Sequence, residues 1–560
     1  MTFNKVVFDI ETTMTADKIW CIVCKHGDTY YQFKEDRLHR FAELIKQTEE
    51  VIGHNIIGFD IPVVNTIFGY DVFANCKVTD TLVLSRLLNP MIEGGHSLKN
   101  WGTKLGQNKI HFEQFDFFSE DMLTYCRNDV ELTERLYKFL INKTKDFGMS
   151  IELEHKVAQI IQKQHERGFK INVVEAYELQ SKFQEDMNNL TSKVRETFPP
   201  LKIEEEFIPK SNNKARGYVK GVPFTKVKYK EFNLGSRQQI AERLVMLGWK
   251  PKKKTDKGHI IVDEKVLSEI HNIPEAKLIN RYLMLQKRIA QVNSWIEAIK
   301  EDGRVHGKVI TNGTITGRMS HQSPNMAQIP AVYSPYGKEC RALWTVNKGY
   351  KLVGVDASGL ELRMLAHYMN DKDYIYEVVN GDIHTANQNA AGLESRDKAK
   401  TFIYAFIYGA GSKKIGSIIG GSERDGERTK EKFLRATPSL RSLREKVERV
   451  AQRRWVRGLD QRKIIIRHPH AALNTLLQGA GAIVMKYALT ILEQYVINKQ
   501  IKAFPVVNVH DEFQYEVEES RAEEFGRLAV QSIIDAGKQL NVRCPLNGEY
   551  KIGNNWSETH

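Results

Sequence analysis

At 560 residues the chain has room for roughly three or four domains, each with its own core. Its 41% hydrophobic and 27% charged content is ordinary for a soluble globular protein, and six cysteines over this length cannot make a disulfide framework, which favours a reducing compartment. A net charge of +13, from 82 basic and 69 acidic residues, points to an anionic partner, and no apolar run reads as long enough to cross a bilayer.

The first element is a strand, Val6-Val7-Phe8, so close to Met1 that little room remains for a removed leader; a cytosolic location is the expectation. The strand continues through Asp9-Ile10-Glu11, and side chains alternating with period two put Asp9 and Glu11 on one face. Short β-branched runs then alternate with helical segments to about residue 145, the texture of an α/β domain. Cys21 and Cys24 have zinc-type spacing, but no second pair lies near them and Ile22-Val23 between them reads as buried strand. Further along come Asn55-Ile-Ile-Gly-Phe59-Asp60 and Tyr125-Cys-Arg-Asn-Asp129; Tyr125 and Asp129, four apart, share a helix face.

Residues 151–198 read as one long amphipathic helix, with Ile151, Leu153, Val157, Ile160 and Ile161 at helical spacing and Pro199-Pro200 as its stop. A basic stretch follows. Phe207 to Lys257 holds 14 Lys or Arg against 3 Asp or Glu, so most of the excess charge lies in these 51 residues, with Tyr218, Tyr229, Phe232 and Trp249 interleaved. A solvated loop is the plain reading of such a run; its concentration and its aromatics favour contact with a phosphate backbone. Another helical stretch covers about 263–300, and from about 303 onward strands mix with long helices.

Two acidic motifs stand in that last part. VDASGLELR carries Asp356 directly after the run Leu352-Val353-Gly354-Val355, and VHDEF carries Asp511 and Glu512 after Val506-Val507-Asn508-Val509. Each puts a carboxylate at a strand end, where two can converge to hold a pair of Mg²⁺ ions around an in-line phosphoryl transfer. Taken singly, Asp356 reads as a turn residue and Asp511-Glu512 as a hairpin tip. Between them, Arg396, Lys400, Tyr404 and Tyr408 recur every four residues; on a helix they drift only ~120° over ~18 Å and share a face. Two cations followed by two tyrosines suit the phosphates and the base and sugar of a nucleoside triphosphate, while Phe402, Ile403 and Phe406 supply a separate core face. Gly409-Ala-Gly411 lacks the spacing of a phosphate loop and reads as a helix terminator.

With these motifs the chain resembles a family A DNA polymerase, most closely the replicative enzymes of T-odd podophages. VDASGLELR resembles that family's motif A, RDKAKTFIYAFIYGAG its motif B and VHDEF its motif C; TNGTITGRMSHQSPNMAQIP and HPHAALNTLLQGAGA are also similar, and the likeness runs to the final GNNWSETH. The three N-terminal acidic segments resemble the exonuclease motifs of proofreading nucleases with a ribonuclease-H-like fold, in the same order. The resemblance implies a mixed α/β architecture. A ribonuclease-H-like 3′–5′ exonuclease domain would span 1–145, a helical connector and thumb 146–302 with its basic DNA-binding region at 207–257, and palm and fingers 303–560, the fingers at about 372–470.

It also implies residue roles. Asp356, Asp511 and the Ala357 carbonyl would bind two Mg²⁺ ions, with Glu512 beside them, and Asp9, Glu11, Asp60 and Asp129 two more; Mn²⁺ could substitute. Tyr125 would orient the water attacking in the nuclease site. Lys400 would donate a proton to, or neutralise, pyrophosphate, Arg396 and His384 would bind phosphate oxygens, Tyr408 would stack near the templating base, and Glu361 would exclude a 2′-hydroxyl. A tyrosine at position 404, where family members differ between Phe and Tyr, implies ready acceptance of dideoxynucleotides. Arg318, Asn474, Gln478 and His510 would contact the primer end and the minor groove, whose acceptors recur in every Watson–Crick pair.

Primer–template DNA and deoxynucleoside triphosphates are the implied partners, with a phage helicase–primase beside them, no membrane, and the host cytoplasm as location. The podophage enzymes carry a large basic thumb insertion that recruits host thioredoxin. The corresponding stretch here, about 200–232, is short, so direct electrostatic tethering by 207–257 stands as the alternative to a thioredoxin clamp. Three other readings remain beside replication: a gap-filling repair polymerase of the same family, a non-catalytic DNA-binding processivity subunit, and an RNA polymerase on the same palm. Intact Asp356, Asp511, Arg396 and Lys400 argue against the second; Glu361 and the editing motifs argue against the third.

Overall fold

A computed structural model describes residues 3–255 and 257–560; Asp256, inside the basic stretch, lies outside the described residues. The chain divides into two compact units, one formed by the residues up to Lys170 together with His306–His560, the other by Ile171–Val305.

The first unit begins with a five-stranded sheet. Its strands, in spatial order, are Thr29–Lys34, Ile19–His26, Phe3–Thr12, Thr48–Gly53 and Lys77–Asp80. The first three run antiparallel, and the last two join in parallel. Alternation along the first strand decides what each face meets. Val6, Phe8 and Ile10 pack with Phe41, Ile45, Val64 and Phe73, whereas Val7 faces the helix Glu120–Thr144 through Met122, Cys126 and Val130. Asp9 and Glu11 are in phase with Val7, so they point toward that helix. The same alternation separates the cysteines: Cys24 lies in the first core and Cys21 in the second, on opposite faces of the sheet, where they cannot share a zinc ion.

A second sheet has the order Ala503–Val509, Glu512–Glu518, Tyr350–Ala357, Gly548–Gly553, all antiparallel. Val353, Val355, Phe513, Tyr515 and Val517 turn to one side and join a core with the helices Ala472–Asn498 and Ala522–Gln539. Asp356, Glu512, Gln514 and Glu516 therefore share the other face. Gly354 lies on it too, and a Cβ there would stand 2.3 Å from Gln514 and 2.4 Å from the Thr559 carbonyl, so glycine lets the segment Trp556–His560 cross the sheet closely.

Two readings of the sequence are corrected. The run 151–198 is two helices, Ser150–Arg167 and Val173–Thr197, interrupted by a short strand; Gly168, at φ +63°, ends the first against the ring of His306, and Asn172 caps the second. The apolar spacing that suggested a helix ends at Ile161, and the break beyond it is marked by a left-handed glycine. The segment 469–498 is long and apolar enough to cross a membrane, contrary to the initial reading, but 83% of its most apolar window is buried inside the protein. It is the central core helix of this unit, and its apolar composition reflects burial on every side.

In the second unit the acidic strand Leu201–Phe207 pairs with the strand Phe224–Lys230 of the basic stretch in a hairpin. Its aromatics divide. Phe207, Tyr218 and Phe224 cluster edge to face, and Phe232 packs on Phe198, while Tyr229 stays exposed. Most of these rings therefore stabilise the hairpin rather than offer an outer surface.

A buried charge network ties the helix Ser150–Arg167 to the core helix. Both Glu154 carboxylate oxygens accept from the Lys486 ammonium, at 2.8 and 2.9 Å, and one also meets Arg462, which is paired in turn with Asp460; Asn312 accepts from Lys486 at 2.8 Å. Burial pushes Lys486 down to about 8, although Glu154 beside it favours the charged form. Removing one partner strands the others in a low-dielectric interior. Glu154→Leu is expected to lower stability by about 3–5 kcal/mol in urea denaturation, and a loss under about 1 kcal/mol would mean the network is not paired as described.

Candidate active site

The second sheet and the turn beside it bring Asp356 and Asp511 together. Val509 pairs with Glu512, leaving His510 and Asp511 as a two-residue hairpin loop with His510 at φ +57°. The Asp511 carbonyl accepts a 3.1 Å hydrogen bond from the Ala357 N–H, which fixes the loop beside the end of the neighbouring strand. Asp511 is thus a hairpin tip, as its local sequence suggests, and is also placed against Asp356. Burial, then repulsion from Asp511 and Glu512, raises the Asp356 carboxyl to about 7; water on its exposed side screens part of that repulsion. Asp511 is raised as well, chiefly by burial.

Glu512, grouped with the catalytic acids in the sequence, is buried and its carboxylate is engaged. The indole N–H of Trp556 donates to it at 2.6 Å, the Gln514 amide at 2.7 Å, and His560 Nδ1 lies at 2.9 Å, with Arg341 3.9 Å away. Burial alone would raise it, but these partners hold it below the ordinary carboxylate range. It anchors the segment Trp556–His560 across the sheet. No signal near Glu512 in the sequence pointed to these partners except Gln514, two residues on and therefore on the same face.

Glu361, on the first turn of the helix Leu360–Met369, accepts from the Tyr408 hydroxyl at 2.9 and 2.8 Å and from Arg318 at 3.2 Å. Burial and this hydrogen bond raise Tyr408 to about 12. Tyr404 is raised by burial first and then by Glu361 and Asp511, so it faces the same acids. Arg318 and His510 both act on Asp511 and share a small cavity with Asn508 and Met485. The helix Arg396–Ile407 buries Phe402, Ile403 and Phe406 and leaves Arg396 and Lys400 open; it ends before Gly409, at φ +75°, where a Cβ would meet the His470 carbonyl at 2.8 Å. His384 lies 6.4 Å from the Tyr404 ring and is lowered by burial, then by Arg396 and Lys400. Arg396 is held 2.7 Å from Asp382, the cap of the helix Ile383–Ala391, a pairing across 14 residues that the sequence did not suggest. Asn474 and Gln478 are half-buried, one turn apart on the core helix, and the Asn474 side-chain oxygen has no hydrogen-bond partner.

A second acidic cluster lies on the five-stranded sheet. Asp9, Glu11 and Cys126 offer donor atoms within 4.8 Å of one another. Asp60 opens the helix Asp60–Phe68, with the N–H groups of Asp60 and Ile10 donating to its carboxylate; burial nevertheless raises it to about 7. Burial, then Asp60, Glu11 and Asp129, pushes Asp9 well up, and Glu11 rises to about 9. Asp129 and Tyr125 come from the facing helix, and Lys109 joins them. All four predicted acids and the tyrosine therefore meet in one place.

A parallel-edged α/β layer with one buried acid cluster, and an antiparallel sheet whose strand ends hold a second, make an α/β protein with two candidate cation sites. The comparisons make it particular. The profile of DNA polymerase family A matches residues 217–558. The DNA-directed DNA polymerase of Enterobacteria phage T3 is 33% identical, with 99% of this chain and all of the relative covered, and that of Escherichia phage T7 is 35% identical over 87% of this chain and 88% of the relative. The chain belongs to DNA polymerase family A, and its activity is that family's, DNA-directed synthesis of DNA. The T3 alignment spans 714 positions, so that relative carries segments with no counterpart in these 560 residues. A solved structure of the POL domain of Pol1 from M. smegmatis, in complex with DNA primer-template and dNTP, shares the fold at a TM-score of 0.81 and 18% identity, covering 99% of this chain and 95% of its own. Enzymes of this family depend on metal.

The raised Asp356 carboxyl has a consequence for stability. Its folded value, about 7, exceeds the ordinary 3.8, so the folded state keeps a proton that the unfolded state has released; stability falls as pH rises from about 4 to 7 and stays reduced above. Asp356→Asn is therefore expected to raise the melting temperature at pH 8 in EDTA, with the gain shrinking toward pH 5. An equal gain at both pH values would show that repulsion is not its source.

Proposed function

We propose that the chain is a replicative, proofreading DNA polymerase that works with two divalent ions at each of two sites, serving a phage genome in the host cytoplasm. The carrying observation is that two separate acid clusters, one largely buried and one partly exposed, each gather carboxylates from distant segments and hold them against their own repulsion. Their donors suit Mg²⁺: carboxylate oxygens, with the Ala357 carbonyl added at the Asp356 site. Bound there, divalent ions would neutralise phosphate charge and make the primer 3′-hydroxyl, or a water at the editing site, more acidic.

The protein's own groups do the rest. Asp356 and Asp511 bring their negative charge to one point at the end of the strand. Arg396, Lys400 and His384 receive the triphosphate, and Arg396 exchanges Asp382 for a phosphate oxygen as it does so. Lys400 neutralises the departing pyrophosphate or gives it a proton. Tyr404 and Tyr408 line the base and sugar, and Glu361, fixed by Tyr408 and Arg318, closes the space a 2′-hydroxyl would need. Arg318, His510, Asn474 and Gln478 test pair shape from the minor groove. At the second cluster Tyr125 orients water toward the scissile phosphate beside Asp9, Glu11, Asp60 and Asp129. The domain plan follows the motifs: nuclease to about 145, connector and thumb to about 302, then palm and fingers. The positively charged hairpin and the segment after it hold duplex DNA directly, which the short 200–232 stretch favours over a thioredoxin clamp.

Primer extension with Mg²⁺, run with deoxy- and ribonucleotides and with and without thioredoxin, tests this reading. Extension with deoxynucleotides alone and no thioredoxin effect is expected; no extension under any condition would end it. Asp9→Ala combined with Glu11→Ala should cut single-strand degradation by at least about 100-fold and spare extension. For Tyr404→Phe, discrimination against dideoxynucleotides should rise, and an unchanged ratio would remove Tyr404 from sugar selection.

A further inference from the structure

The editing cluster contains a cation that the reading of its acids did not include. Lys109 comes from the segment between the helices Leu98–Leu105 and Glu120–Thr144, and its ammonium lies 2.5 Å from Asp129 Oδ2 and 4.7 Å from the Tyr125 ring centre. It is not a surface lysine that happened to reach inward, because the segment carrying it is fastened at several points. The Ile110 N–H donates to the Asn128 side chain at 3.2 Å, and Phe112 stacks on Tyr125 with ring centres 5.3 Å apart. Phe115 meets Tyr125 edge-on, and its carbonyl accepts from Trp20 at 2.9 Å. At Gly102 a Cβ would stand 2.5 Å from the Gln107 carbonyl and 3.4 Å from the Lys109 nitrogen, so the chain passes where no larger residue fits.

The ammonium pairs directly with one acid of the cluster, Asp129. Asp129 itself is 3% exposed; one of its oxygens takes the lysine, and the other, Oδ1, is buried with no hydrogen-bond partner. A carboxylate so divided has one oxygen committed to a protein cation and one left for an incoming ion.

We propose that Lys109 is a built-in counter-ion of the editing site: it positions Asp129 and Tyr125 and competes with a divalent ion for the Asp129 side of the cluster. The inference rests on the reading of this cluster as a metal-dependent nuclease site. It makes the two cation positions unequal. An ion near Asp9 and Glu11 meets their carboxylates and the Cys126 thiol, whereas an ion approaching Asp129 must displace an ammonium already in contact. Trimming is then governed by the weaker position, which is where a nucleic-acid phosphate could help draw the lysine away.

Mn²⁺ binding, followed by electron paramagnetic resonance on the full chain, tests this. The background carries Asp356→Ala and Asp511→Ala, so that the editing cluster dominates the signal. Lys109→Met is expected to tighten the weaker Mn²⁺ position about tenfold and change the tighter one less than about twofold, with Lys109→Arg close to the parent. Unchanged constants, or weakening of both, would overturn the proposal, since a lysine that merely organises the site loosens every ion when removed. Lys109→Gln serves in the same way should the methionine protein fail to fold. Asp9→Ala separates the two claims. If it leaves Mn²⁺ binding intact, the nuclease reading of the cluster fails; if it abolishes binding while Lys109→Met has no effect, only the role of Lys109 fails.

Discussion

Like charges brought together and kept there are the constraint on which the rest of this molecule depends. A carboxylate surrounded by protein and by other carboxylates takes up a proton unless cations or donors compensate it, and both acid clusters show that tendency in their raised values. The fold holds the groups in place by stiff means. At one site sheet register sets Asp356 directly opposite Glu512, a like-charge pairing that is unfavourable in any antiparallel ladder. Trp556, Gln514 and His560 satisfy Glu512 and hold it low, while Asp356 and Asp511 stay raised even with Arg318 and His510 beside Asp511. Compensation is thus selective, stronger at Glu512 than at Asp356 or Asp511.

Both sites use the same construction. At each, a strand delivers part of the acids, Asp9 and Glu11 at one and Asp356 at the other, and separate elements deliver the rest. At the first these are the helix Glu120–Thr144, with Asp129, and the helix that Asp60 opens; at the second it is a two-residue turn locked by the Ala357 N–H. Neither depends on a long flexible loop, and the core beneath each is fully buried. Val355 and Phe513 under one cluster, and Val7 and Met122 under the other, give the carboxylates little freedom to swing apart. This suits chemistry in which donors must already be in position when charge develops on phosphorus.

Much of this was legible in the chain because the informative residues follow short-range rules. Strand alternation put Asp9 beside Glu11, helical spacing put Tyr125 beside Asp129, and four-residue spacing separated Arg396 and Lys400 from the buried Phe402 and Phe406. What stayed hidden depended on partners distant in sequence or on a single backbone angle. Gly168 interrupts the run 151–198, and a single left-handed glycine is a weak mark of a helix end in a sequence. The segment 469–498 reads like a membrane helix because a helix surrounded by protein and one surrounded by lipid are apolar for the same reason. The partners of Glu512 stayed hidden because Trp556 and His560 are more than 40 residues away.

Lys109 and Arg396 show the limit from the other side. Each is a cation whose partner cannot be found by spacing: Asp129 lies 20 residues from Lys109, and Asp382 lies 14 from Arg396 on a different helix. In both cases the basic group is already engaged by a carboxylate at the place where phosphate or metal is expected to arrive. An exposed pair such as Arg396 with Asp382 contributes little to stability, so exchanging it for a phosphate oxygen costs little. A buried pair such as Lys109 with Asp129 is held harder, and the two sites on this chain therefore differ in how readily their cations let go. On the function proposed above, that difference would favour synthesis over trimming at a well-paired end, where nothing draws the lysine away.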